Sequence, residues 1–222
     1  MNKTPILVLC DDMWHPAEVV ERGLASLPQQ KYQFDVVKTA KDILTPELLH
    51  RYPAVICCKS NCINLGNHEP WFEEGVTEVM PDEFKNYVAQ GHGFVSLHSG
   101  LVYGPKNRPD FADLTGSAFL GHPPRCEVAF HVTDETHPVA AGVEDFTARD
   151  EHYMMDVFAQ DARLFLSSRS EKGGTQAAGY TRLIGEGRLC ALTPGHTLAV
   201  WEHPQFQRLL LNALAWCMKE EP

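Results

Sequence analysis

Short apolar runs that alternate with amphipathic stretches constrain this chain more than any other feature. Residues 6–10 form a run of branched apolar side chains, and residues 17–27 carry Val19, Val20, Leu24 and Leu27 at helical spacing. Runs at 34–37 and 54–58 repeat the strand signal. Between them, 44–49 suits a helix with Thr45 as cap and Pro46 at its first position. Strands separated by helices read as βαβαβ, the pattern of a parallel sheet. A further helix opens at Pro81, places Phe84, Tyr87 and Val88 on one face and ends toward Gly91 and Gly93. The strand at 93–97 follows and stops at His98-Ser99-Gly100.

The later half is less regular. Residues 111–114 suit a short helix, 126–132 alternate as a strand, and 164–167, 177–183 and 189–192 are strand-like. The last two are joined across Gly185-Glu186-Gly187 as a hairpin. A final helix starts near Pro204 and sets Phe206, Leu209, Leu210, Ala213, Leu214 and Cys217 in a core-facing stripe. Residues 59–80 interrupt the rhythm with Asn, Gly, Pro and acidic residues, and are expected to be a lid or, through Trp71 and Phe72, a contact between copies of the chain. At 222 residues and 44% hydrophobic content, one α/β domain over 1–222 is the simplest organisation.

The balance of 19 basic against 29 acidic residues gives a net charge of −10, with no basic run to follow a phosphate backbone, so nucleic acid is not an expected partner. No apolar stretch is long enough for a membrane span, and the first residues lack a signal-peptide pattern. Seven cysteines, mostly in apolar runs, suit buried thiols in a reducing cytoplasm. Cys58 and Cys62 are spaced as half a metal site, without a matching second pair.

Three histidines each follow a strand. Residues 5–10 run into Asp11-Asp12-Met13-Trp14-His15-Pro16, 93–97 into His98, and 188–193 into Pro194-Gly195-His196. The carboxyl edge of an α/β sheet is where such folds keep their chemistry, so one edge is expected to gather His15, His98 and His196. With Glu151 from Asp150-Glu151-His152-Tyr153, they supply the donors of a divalent ion such as zinc. Asp11 and Asp12 either orient a histidine or cap the helix that follows. His122, in Gly121-His122-Pro123-Pro124, is a candidate acid–base group or a turn residue, and Glu151 a candidate base. His137 and His203 precede prolines and are expected to serve turns or helix entries. There is no G-x-S-x-G, no G-x-G-x-x-G after the first strand and no phosphate-binding P-loop.

In combination, Gly91-x-Gly93-Phe94-Val95-Ser96-Leu97-His98-Ser99-Gly100, His137-Pro138-Val139-x-x-Gly142, Asp150-Glu151-x-Tyr153, and Gly187-Arg188 leading to Pro194-Gly195-His196 and Trp216 resemble the ThuA-like (trehalose utilisation) family. The resemblance implies a flavodoxin-like three-layer α/β sandwich around a mostly parallel sheet, similar to class I glutamine amidotransferases. Where those enzymes carry a nucleophilic cysteine, this chain has His98, so glutaminase chemistry is not expected. It implies a role in catabolism of trehalose or a related disaccharide or keto-sugar, in the cytoplasm. The expected protein is a metal-dependent enzyme performing isomerisation, elimination or hydrolysis; the alternative is a non-catalytic sugar-binding or regulatory protein. Trp14, Ser99, Tyr103 and Tyr153 are the expected sugar contacts, with Trp71 a further candidate aromatic.

Overall fold

The computed structural model describes residues 3–28, 30–61, 70–106 and 108–220. The first half follows the expected alternation: β1 (Thr4–Leu9), α1 (Ala17–Ala25), β2 (Tyr32–Val37), α2 (Ala40–Ile43), α3 (Pro46–Leu49), β3 (Ala54–Cys57), α4 (Pro81–Ala89) and β4 (Gly93–Leu97). Thr45 caps α3 by accepting a hydrogen bond from Leu48 N at 3.1 Å, with Pro46 at the first position. A 3-10 turn at His98–Leu101 and α5 (Pro109–Thr115) lead into β5 (Ser117–Gly121), β6 (Cys126–Val132), β7 (Phe146–Asp150), β8 (Met154–Val157), β9 (Arg163–Ser170), β10 (Gly174–Ile184) and β11 (Gly187–Leu192). Helices α6 (Leu198–Trp201) and α7 (Pro204–Cys217) follow.

The main sheet has nine strands in the order β2-β1-β3-β4-β11-β10-β9-β6-β7, and β5 pairs with β8 separately. From β2 to β11 every pairing is parallel. From β11 to β7 every pairing is antiparallel. The expected mostly parallel sheet is therefore corrected to a mixed one. The β9–β10 and β10–β11 hairpins reverse the chain at 171–173 and at Gly185-Glu186, so antiparallel pairing takes over from the helical crossovers of the first half.

Alternate side chains of β1 enter opposite faces. Ile6, Val8 and Cys10 join one core with Val20, Leu24, Trp201, Phe206 and Leu210, from α1, α6 and α7. Leu7 and Leu9 join the other with Phe84, Tyr87 and Phe111, from α4 and α5. Being buried on both faces is why the parallel strands read as continuous apolar runs.

Trp71 and Phe72 belong to this second core, where Phe72 packs 6.0 Å from Phe84 and 5.8 Å from Phe111 between ring centroids. They are not the exposed contact surface expected of the 59–80 segment. Their acidic neighbours made them look solvent-facing, while Thr77 Oγ1 donates to Trp71 O at 2.7 Å and ties the turn at 71–77 together. Residues 62–69 lie outside the described residues, and with them the Cys58–Cys62 pair. The six described cysteines are free thiols.

Candidate metal centre

His15, His98 and His196 arrive from the carboxyl ends of β1, β4 and β11, and Glu151 from the end of β7. One ligand atom from each lies within 4.8 Å of all the others. Glu151 Oε2 is 3.1 Å from His196 Nδ1, 3.5 Å from His98 Nε2 and 3.9 Å from His15 Nε2. His98 Nε2 and His196 Nδ1 are 3.4 Å apart. Bonds of 2.0–2.1 Å in tetrahedral zinc sites place neighbouring ligand atoms about 3.3 Å apart, so the donor set fits a small divalent ion with little adjustment.

The rings are held from behind. His15 Nδ1–H donates to Asp12 Oδ1 at 2.7 Å, and His98 Nδ1–H donates to Thr193 O at 2.7 Å. Each bond turns the ring so that Nε2 faces the cluster, where a cation would take the place of the proton shared with Glu151, the outer-shell arrangement of metal-binding histidines. Asp12 also accepts from Trp14 N, His15 N and Ser60 N, locking the loop after β1 to the end of β3. Asp11 accepts from Ala17 N at 2.9 Å. The two aspartates divide the roles that sequence left open: Asp12 orients a histidine, and Asp11 serves the start of α1.

His98 sits at φ 47, the left-handed region, at the sharp turn out of β4. Gly100 makes that turn possible: a Cβ there would lie 2.0 Å from Cys57 O. Asp150, the last residue of β7, is buried and accepts from Gly195 N at 2.8 Å and His196 N at 3.0 Å. It positions the His196 loop, a role the sequence could not reveal because its partners lie on β11's exit.

Charge follows geometry. Burial pushes the Glu151 carboxyl up, but hydrogen bonds from His15, His196 and His98 outweigh it and leave it far below the usual range. Burial likewise opposes a charged His15, yet Asp12 and Glu151 raise it to about 9; buried Asp12, bonded to His15, is held at about 2. Burial depresses His98. An imidazole and carboxylate set that shares protons this closely has the chemistry of a cation site.

A cavity of about 540 Å³ opens beside the cluster, lined by His15, Glu151 and His196 together with Trp14, Phe119, His122 and Tyr153. Trp14 is 62% exposed at its mouth. Tyr153 stacks on His98 at 4.2 Å, and its hydroxyl lies 3.5 Å from His15 Nε2. His122 Nε2 is 3.6 Å from Glu151 Oε2, while its Nδ1–H donates to Pro123 O. Two expected sugar contacts lie elsewhere. Tyr103 is 1% exposed in the second core and donates to Lys59 O at 2.8 Å. Ser99 is buried behind His98, on a small internal cavity with Pro16, Val20 and Trp201 that His15, His98 and His196 also line. His137 and His203 accept from Val139 N and Gln205 N at the starts of a 3-10 turn and of α7, as expected of residues before proline.

Sequence reasoning missed Lys59, Phe119 and Arg125. Lys59 is fully buried at the end of β3, and its ammonium donates to Cys10 O and Asp11 O, tying down the loop that carries His15. Phe119 and Arg125 line the cavity from β5 and the loop before β6. A lone lysine after an apolar run carries no signal of this kind, and β5 was not legible.

The fold and site define a mixed α/β protein with a candidate cation centre of three histidines and one glutamate at its sheet edge. The sequence pattern of the ThuA family, described as trehalose utilisation, matches residues 10–217, and the chain belongs to that family. No curated protein sequence matches it. Among solved structures it is similar to a ThuA-like protein from Parabacteroides merdae (TM-score 0.75, 18% identity, 98% of this chain and 90% of that one). It is also similar to one from Bacteroides uniformis (TM-score 0.73, 20% identity, 97% and 91%). A β-galactosidase from Rahnella sp. R3 shares the fold over 32% of its own length (TM-score 0.65, 15% identity, 99% of this chain). Among the described residues no helix is long and apolar enough to cross a membrane.

Proposed function

We propose that this ThuA-family protein is a cytoplasmic, metal-dependent enzyme of carbohydrate catabolism acting on a keto-sugar or keto-glycoside. Its parallel strands and two cores serve as the flavodoxin-like, three-layer part of the scaffold. The observation that carries the reading is the convergence of His15, His98, His196 and Glu151 within 4.8 Å, with Nε2 of His15 and of His98 aimed inward by Asp12 and Thr193 O. These four residues would hold a divalent ion, zinc or a similar one, which when bound polarises a sugar carbonyl and acidifies the adjacent C–H. His122 stands at the cavity wall with Nδ1–H committed to Pro123 O, which leaves the Nε2 lone pair to take and return a proton. Trp14 offers an apolar face to a sugar ring at the cavity wall, and Tyr153, stacked on His98, packs with Phe119 at 4.6 Å behind it. Proton transfer beside a carbonyl makes isomerisation or elimination the reaction class.

Metal analysis of protein purified without chelator tests the reading. Near one divalent ion per chain is expected, lost in His98→Ala. A metal-free wild type whose sugar binding survives in His98→Ala would overturn it and leave a binding protein instead.

A further inference from the structure

The cavity wall beyond the cation ligands supplies side-chain hydrogen-bond donors and no free carboxylate. Glu151 is the one carboxylate among the described lining residues, and its Oε2 is turned to His15, His98 and His196. Arg125 also lines the cavity, is exposed, and has no hydrogen bond or ion pair among the described residues. Pro123 and Pro124 precede it, and their fixed φ stiffens the loop that presents both His122 and Arg125. Tyr153, 1% exposed, has His15 Nε2 as its hydroxyl's hydrogen-bond partner. Once that nitrogen is committed to a cation, the O–H is released to donate into the cavity that Tyr153 lines.

A neutral sugar brings hydroxyl donors that need acceptors, and beyond the cation ligands the side chains of this wall offer one, His122 Nε2, against the donors of Arg125 and Tyr153. The wall suits a group made only of acceptors, which a guanidinium grips through two parallel N–H bonds. Three neutral imidazoles and one carboxylate also cancel a single charge of a divalent ion, so the centre beside Arg125 is cationic within a chain of net charge −10.

We infer that the substrate is an acidic sugar, a small polyhydroxylated molecule whose oxyanion is bound by Arg125 with the Tyr153 hydroxyl as a second donor. This rests on the proposed function, in which Glu151 is spent on the cation. Carboxylate and phosphate share the required chemistry, and the test separates them.

Titration calorimetry of the purified wild type with glucose, glucuronate and glucose 6-phosphate at low ionic strength reads the preference directly. At least one oxyanion sugar should bind about ten-fold or more tighter than glucose, and which one identifies the group. Arg125→Gln should bring that sugar to the glucose level, and Tyr153→Phe should weaken it about three- to ten-fold, with metal content unchanged in both. Equal binding of all three sugars, binding of none, or a preference that survives Arg125→Gln overturns the inference. Metal content is read separately, so loss of the cation reading and loss of the oxyanion reading remain distinct results.

Discussion

The Asp12 carboxylate lies 2.7 Å from His15 Nδ1, and His15 in turn faces Glu151 across 3.9 Å. Four residues of local chain, Asp12 to His15, thus build a carboxylate–imidazole pair whose far nitrogen points into the cluster. Asp12→Asn keeps the shape and removes the charge that makes His15 a strong donor. Metal affinity should fall about 10- to 100-fold, and because the amide NH2 replaces the oxygen that accepts from Ser60 N, thermal stability should also fall, by about 1–3 kcal/mol. Competition against a chromophoric chelator measures the affinity, and an unchanged value would show that Asp12 serves only the loop.

Gly100 tests how tightly the His98 turn is packed. In Gly100→Ala the new Cβ meets the backbone carbonyl Cys57 O at 2.0 Å, at the end of β3. A loss of about 3 kcal/mol or more is expected, seen as a large drop in melting temperature or as insoluble protein. Gly174→Ala is the control: unlike Gly100 it has positive φ, but nothing lies within 4 Å of the added atom, so only backbone strain of about 1 kcal/mol applies.

Tyr103→Phe separates a core residue from a sugar contact. The hydroxyl donates to Lys59 O and accepts from Trp71 Nε1, both buried. Its removal should cost about 1–2 kcal/mol in urea unfolding and leave sugar affinity unchanged. A selective loss of sugar affinity would return Tyr103 to the site.

His137 gives a pH dependence remote from the cluster. Its Nδ1 accepts from Val139 N, its Nε2–H donates to Thr181 Oγ1, and burial, aided by Arg163, lowers its pKa to about 4. The unfolded chain, with a histidine pKa near 6.5, therefore binds more protons than the folded one between those values. Stability is full above about pH 6.5 and declines as pH falls toward 4, by at most about 3 kcal/mol from this residue. In His137→Gln the slope of unfolding free energy against pH should flatten across that window, although the variant starts less stable. An unchanged slope places the acid sensitivity elsewhere.

Much of the parallel half was legible. Apolar runs marked β1, β3, β4 and β11, Thr45-Pro46 marked a helix start, and His15, His98 and His196 were visible as residues that follow strands. Glu151 was visible only as an acid beside aromatics, because β7, with its Phe146–Asp150 alternation, is short and sits at the sheet edge. β5 and β8 escaped for a similar reason: their few branched residues give no strand pattern strong enough to stand without a partner.

By itself the sequence determined which side chains end strands, since side-chain chemistry and local periodicity are carried by neighbouring residues. Which of those ends meet was decided by tertiary structure. β7 lies five strands from β4, about 24 Å in a flat sheet, yet Glu151 reaches to 3.5 Å from His98. The antiparallel half must coil back toward the parallel half to close that gap. Twist accumulates over all the pairings between the two strands, so no local stretch of chain encodes it. The same non-local packing buries both Tyr103 and Tyr153 in the second core but sets only Tyr153 against His98 and the cavity, although each is a tyrosine near a strand or turn that the sequence placed at one edge.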